Sequence, residues 1–349
     1  MAPRRPRRDA TDSAAHYAAH YDEPVSAHSR RGEIALLSVG VVVSLAAAEG
    51  LVRLLGPGPD PGGYAPVRTD GKNAGPVNSQ GYRDLERVVP RPPALRRVVC
   101  LGDSFTWGVG VLFDDAWPQR LERGLSRGRG ERWEAVNLAE RGLNAVQEMQ
   151  RLEAEGLAYE PDVVVVGYVL NDSEDENAAE RRRAEDWVAE ARRGPQAPVS
   201  VLERSALFRF ARARLRATAQ NRERILNFRA MYDEDDPGWL AAQGALRTMG
   251  GLCRARGIPL VVAIFPLFGN PLDEGYPFAD IHGRVARAAA EGGAMVVDLL
   301  PRYRGLRWDL LVVDGPRDEH PNEIAHRIAA QALVQAVNEV VPHETAPGP

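Results

Sequence analysis

Four short stretches of the 349-residue sequence carry side chains suited to acyl transfer through a nucleophile. LGDSFTWGVG at 101–110 sets Ser104 directly behind an apolar run and ahead of Gly108 and Gly110. A serine at such a strand-to-helix turn exposes its hydroxyl and turns its own N–H into the cleft. The stretch is not a Gly-x-Ser-x-Gly elbow, because Thr106 stands at the last position. Alone, Gly-Asp-Ser also reads as a helix N-cap, and Asp103 is expected to brace the turn. NLAERGLNAVQ at 137–147 offers Gly142, whose backbone N–H can approach a substrate oxygen. GYVLND at 167–172 offers the Asn171 amide as a further donor. DEHPNEIAH at 318–326 places His320 two residues after Asp318 and just before a proline suited to the first turn of a helix.

The chemistry explains the residue types. A serine hydroxyl needs a base within hydrogen-bond reach, and imidazole titrates near neutrality. A carboxylate on the other ring nitrogen fixes the tautomer and stabilises imidazolium. Backbone and amide N–H groups offset the charge that develops on the carbonyl oxygen. Trp107 fits either core packing or the lining of an acyl pocket. His326 reads as a packing or surface residue, and His282 falls on a helix expected at the surface. The seven histidines are scattered and no His-Glu-x-x-His occurs, so neither a metal nor another cofactor is expected.

Positioning these side chains requires strand ends. Apolar, β-branched runs recur at 98–102, 134–139, 162–170, 259–265 and 294–300. Between them, helical periodicity marks 115–127, 143–156, 238–256, 279–291 and 322–341. This alternation predicts a five-stranded parallel sheet covered on both faces, with its ligand site at the carboxyl ends of the strands. Each motif falls at such an end. One segment, about 172–236, breaks the alternation; it is charge-rich and reads as a helical insertion over the site.

The N-terminal part is different. Residues 1–33 are polar and arginine-rich, Ile34–Ala48 carries no charge, and Gly56-Pro57-Gly58-Pro59 stops any helix. Residues 34–55 would make roughly 33 Å of helix at about 1.5 Å per residue. That suffices for a hydrocarbon core of about 30 Å. The segment is read as an uncleaved signal anchor, with Glu49 and Arg53 reaching the headgroups. A cleaved signal and a buried helix are the competing readings. The arginines ahead of the span put the N-terminus in the cytoplasm and the remaining chain outside. Residues 56–75 form a linker and 342–349 a tail. The net charge of -4 gives no case for nucleic acid. Cys100 and Cys253 read as packing residues.

Taken in order, the four motif blocks resemble those of the SGNH hydrolases, the GDSL esterase/lipase superfamily, over residues 76–341. NSQGYRDLE at 78–86 is similar to a lead-in found in membrane-anchored bacterial members. The resemblance implies a flavodoxin-like three-layer α/β/α fold and acyl-ester chemistry. It implies Ser104 as nucleophile, an oxyanion hole of the Ser104 and Gly142 N–H groups with the Asn171 side chain, and His320 as general base oriented by Asp318. Many members carry the acid three residues before the histidine, where this chain has Arg317. Asp318 is the nearest acid, Asp314 is the fallback, and the Glu319 side chain should point the other way. The expected substrate is a small acyl ester, first of all an acetyl group on an envelope or secreted polysaccharide. An acyltransferase using the same site is the alternative, and a catalytically silent carbohydrate-binding module is the third reading.

Overall fold

The computed structural model describes residues 27–55, 75–129, 131–175, 201–315 and 318–341. Residues 1–26 of the polar segment, 56–74 of the linker, 176–200 of the insertion and the tail lie outside the described residues. The five runs form five parallel strands: β1 (Leu95–Gly102), β2 (Arg132–Asn137), β3 (Val163–Tyr168), β4 (Leu260–Ile264) and β5 (Met295–Asp298). Their order is β2-β1-β3-β4-β5, so the chain reverses its direction of travel across the sheet between β1 and β3. In doubly wound sheets ligands bind at that crevice.

The helices are α1 (Ala27–Leu55), α2 (Ser104–Trp107), α3 (Trp117–Arg129), α4 (Ala145–Ala154), α5 (Ala206–Ala230), α6 (Pro237–Arg254), α7 (Ala279–Glu291), α8 (Leu300–Tyr303) and α9 (Glu323–Val340). α3 packs on α9, whereas α4 packs on α6 and α6 on α7; these two groups are the outer layers. β3 and β4 are buried along their whole length, as a sheet covered on both faces requires.

Local signals set the helix starts. Asn144 and Gln147 form a reciprocal capping box at α4, and Asp236 accepts the Trp239 N–H ahead of Pro237 at α6. At α9 the structure corrects the reading of the proline. Pro321 ends a short antiparallel hairpin of β6 (Val312–Asp314) and β7 (Asp318–Pro321), paired with Val312. Asn322 caps α9 instead, taking the Ile324 and Ala325 N–H groups at 3.0 and 3.2 Å. His282, read from the sequence as a structural residue on a surface helix, points inward from that helix: it is 1% exposed, with its Nδ1 2.8 Å from Asp298 Oδ1.

The described chain divides into two compact units, one gathering α1 with residues 201–218 and the other holding the sheet and its layers. In the first, Gly32–Leu55 is long and apolar enough to cross a membrane, with mean hydropathy 2.1 and none of that span buried. Glu49 was expected at the headgroups. It caps the first turn of α5, accepting Ser205 Oγ–H at 2.7 Å and the Ala206 and Leu207 N–H groups at 2.8 Å. Arg53 donates to Glu49 at 2.8 Å and to the Arg204 carbonyl at 3.3 Å.

Candidate active site

Ser104 opens α2, a single turn that follows β1 directly. Two glycines let that turn lie on the sheet. Gly102 and Gly167 are partners at the ends of β1 and β3, and a Cβ on either would collide with Thr106 Oγ1. Asp103 caps α2 by accepting the Phe105 N–H at 2.9 Å. The far side of the turn is held by buried Arg83, which donates to the carbonyls of Trp107 and Gly108 at 3.0 Å and of Val111 at 2.8 Å.

The hairpin brings His320 to the serine across 216 residues of chain: its Nε2 lies 2.9 Å from Ser104 Oγ. Its Nδ1 lies 2.5 Å from Asp318 Oδ1, and the same oxygen accepts the His320 backbone N–H at 3.0 Å. Because a carboxylate only accepts, Nδ1 carries the proton and Nε2 presents its lone pair to the Ser104 hydroxyl. Burial opposes the Asp318 charge, but the two His320 hydrogen bonds outweigh it and hold its pKa below the usual carboxylate range. Phe105 packs under the imidazole, with ring centroids 5.6 Å apart, and stacks on Phe268. Glu319 points away from the histidine and pairs with Arg224 of α5. Asp314 sits opposite Asp318 in the hairpin.

The donors expected at the oxyanion come from three strand ends. Ser104 supplies an N–H from the first turn of α2. Asn171 lies in the 3₁₀ turn after β3 and gives one amide hydrogen to Asp103 Oδ2 at 2.9 Å, leaving the other for a ligand. Gly142 lies in the loop after β2 with φ +82°, a conformation that glycine adopts without strain. That loop is tied to β1 by the Glu140 N–H on the Gly102 carbonyl, 3.3 Å.

Three features of the site escaped the sequence reading. Asp103 links the serine turn to Asn171, because its Oδ2 that accepts the amide also lies 3.3 Å from Ser104 Oγ. Glu148 and Asp172 are wholly buried carboxyls; burial pushes both well up, and the nearby Asp103 adds to the rise. Third, the Trp107 ring carries two guanidiniums, Arg83 at 4.6 Å and Arg141 at 5.0 Å from its centroid. The block at 78–86 held a signal for Arg83, and Asp103 was expected to brace the turn; nothing local announced the link from Asp103 to Asn171 or the burial of Glu148 and Asp172. Among the described residues no group of three or more His, Cys, Asp or Glu side chains is placed to hold a metal ion.

Comparison with known proteins gives the family. The model of the GDSL-like lipase/acylhydrolase family matches residues 100–328. Among solved structures, an acetylxylan esterase from Geobacillus stearothermophilus is 16% identical, with 73% of this chain and 97% of that chain covered and a TM-score of 0.43. The lipase/acylhydrolase from Enterococcus faecalis is 15% identical over 72% of this chain and 100% of that chain, with a TM-score of 0.42. A two-domain esterase active on acetylated mannans is 15% identical over 73% of this chain and 52% of that one, with a TM-score of 0.40. No curated protein matches the chain. With the family model spanning the serine turn, the Asn171 turn and the hairpin histidine, the chain belongs to the GDSL-like lipase/acylhydrolase family and is an ester-hydrolysing enzyme of the SGNH type.

Proposed function

We propose that this enzyme is a membrane-anchored, extracytoplasmic serine esterase that removes a small acyl group, first of all acetyl, from an oxygen ester on a carbohydrate or envelope polymer. The observation that carries the mechanism is the unbroken relay from Ser104 Oγ through His320 to Asp318. Ser104 Oγ attacks the ester carbonyl as His320 Nε2 takes its proton. Asp318 keeps the ring oriented and stabilises the imidazolium. The Ser104 and Gly142 N–H groups and the free Asn171 amide hydrogen receive the oxyanion. Collapse of the tetrahedral intermediate breaks the bond to the alcohol, which leaves with the proton from His320. Water then attacks the Ser104 acyl-enzyme by the reverse proton path, releasing the carboxylic acid and restoring the hydroxyl.

The anchor reading rests on the unburied apolar face of α1 and on the Glu49 cap, which makes that helix a working part of its folded unit. The carbohydrate assignment rests on this location.

The full chain, treated with a fluorophosphonate and analysed by peptide mass spectrometry, should be labelled at Ser104, and His320→Ala should abolish the label. Folded protein without label at Ser104 would overturn the reading in favour of a silent binding module. Product analysis with sugar acceptors then separates hydrolysis from transfer, because only the second-step nucleophile differs.

A further inference from the structure

The rim of the site carries a cation that the serine chemistry does not use. Arg141 immediately precedes Gly142 and is exposed, as is Gly142. Its guanidinium lies 5.0 Å from the centroid of Trp107, three residues beyond Ser104 in the same helical turn. The other guanidinium on that ring, Arg83, is buried and spends its hydrogen bonds on backbone carbonyls. Arg141 has no hydrogen-bond or ion-pair partner among the described residues. The neighbouring acid does not neutralise it, since Glu140 is taken by Arg151 at 2.7 Å.

Stacking on an aromatic face holds a guanidinium flat while its N–H edge stays open. That edge matches the two oxygens of a carboxylate. A fixed, unpaired cation next to a donor for the oxyanion is therefore pre-organised for an anionic group attached to the ester, and pre-organisation reduces the entropy lost on binding.

We propose that Arg141, stacked on Trp107, is an anion-binding subsite of the active site, and that the ester substrate carries a carboxylate. This rests on the proposed site at Ser104 but does not need its chemistry. The carboxylate can sit on the alcohol, as in an acylated uronic acid, or on the acyl group, as in a hemisuccinate.

The test uses full-length Ser104→Ala in detergent, so that binding is read without turnover. Titration calorimetry compares methyl acetyl-glucoside, methyl acetyl-glucuronoside and methyl succinyl-glucoside. One charged hydrogen-bonded contact corresponds to about 10- to 100-fold in affinity. At least one anionic ester should bind about tenfold or more tighter than the neutral one, and which of the two does so identifies the carboxylate's place. Adding Arg141→Gln should bring the ratio close to one. Arg141→Lys, which keeps the charge but loses the planar fork, should leave it intermediate. High salt should lower the ratio in the parent only. Equal affinities in the parent, or a ratio unmoved by Arg141→Gln, would overturn the proposal. An equal loss for charged and neutral esters would do the same, since it would mark Arg141 as a structural prop. Fluorophosphonate labelling of the unsubstituted enzyme separately reports whether Ser104 is activated.

Discussion

Replacing Asp318 by Asn tests how the site holds its histidine. One oxygen, Oδ1, accepts both the His320 Nδ1–H and the His320 backbone N–H. An asparagine carbonyl in that position keeps both bonds and the tautomer, so what is lost is charge. With carboxylate and imidazolium centres ~4 Å apart, Coulomb attraction is about 4 kcal/mol at an effective dielectric of ~20 and half that at ~40. The side chains are 16% and 31% exposed, which favours the weaker figure. About 2 kcal/mol corresponds to roughly a 30-fold loss of kcat. Asp318→Ala removes the acceptor as well and frees the ring to take the wrong tautomer. That loss should exceed the Asp318→Asn loss, because the tautomer is then no longer held. Hydrolysis of p-nitrophenyl acetate at saturating substrate measures both variants. If Asp318→Asn falls as far as Asp318→Ala, the single-oxygen argument is wrong; if neither loses activity, Asp318 is not the orienting acid.

Further outcomes follow from the same geometry. Asn171→Ala should lower kcat about 100- to 1,000-fold with little change in KM, measured on the same ester; unchanged turnover would remove Asn171 from the site. His326 is fully buried, accepts the Trp117 N–H, and has its pKa lowered by burial to about 3 from the ordinary 6.5. Between those values the unfolded chain binds a proton that the folded one refuses. Stability should therefore fall as pH drops from 6.5 toward 3, by about 1.4 kcal/mol per pH unit from this group. His326→Asn, which keeps an acceptor near the Nδ1 position, should flatten that slope in thermal melts across pH; an unaltered slope would clear His326 of the effect. Glu49→Ala removes the cap of α5 and should speed amide exchange at Ala206 and Leu207 several-fold. Unchanged exchange there would mean that the cap contributes nothing.

The sheet was legible because β3 and β4 are continuous apolar runs, the pattern of strands buried on both faces of a parallel sheet. Ser104, Asn171 and His320 were legible because each follows a strand or abuts a helix start, where a ligand site must form. The hairpin was not, since DEHP has little strand propensity and its proline reads equally well as a helix start. The burial of His282 was hidden because its partner Asp298 closes a strand 16 residues later. The bond from Asn171 to Asp103 spans 68 residues and exists only because β3 returns beside β1. Periodicity identifies elements and their faces; it does not say which loop ends meet.

The Glu49 cap implies a delay during biosynthesis. Its partner Ser205 lies 156 residues downstream. At ~5–20 residues per second of translation, Glu49 waits roughly 8–30 s for that partner to leave the ribosome. During that interval a carboxylate near the end of an apolar helix has only Arg53 beside it. The Glu49–Arg53 pair can therefore hold the helix end until the nascent chain supplies the α5 turn that finally uses the charge.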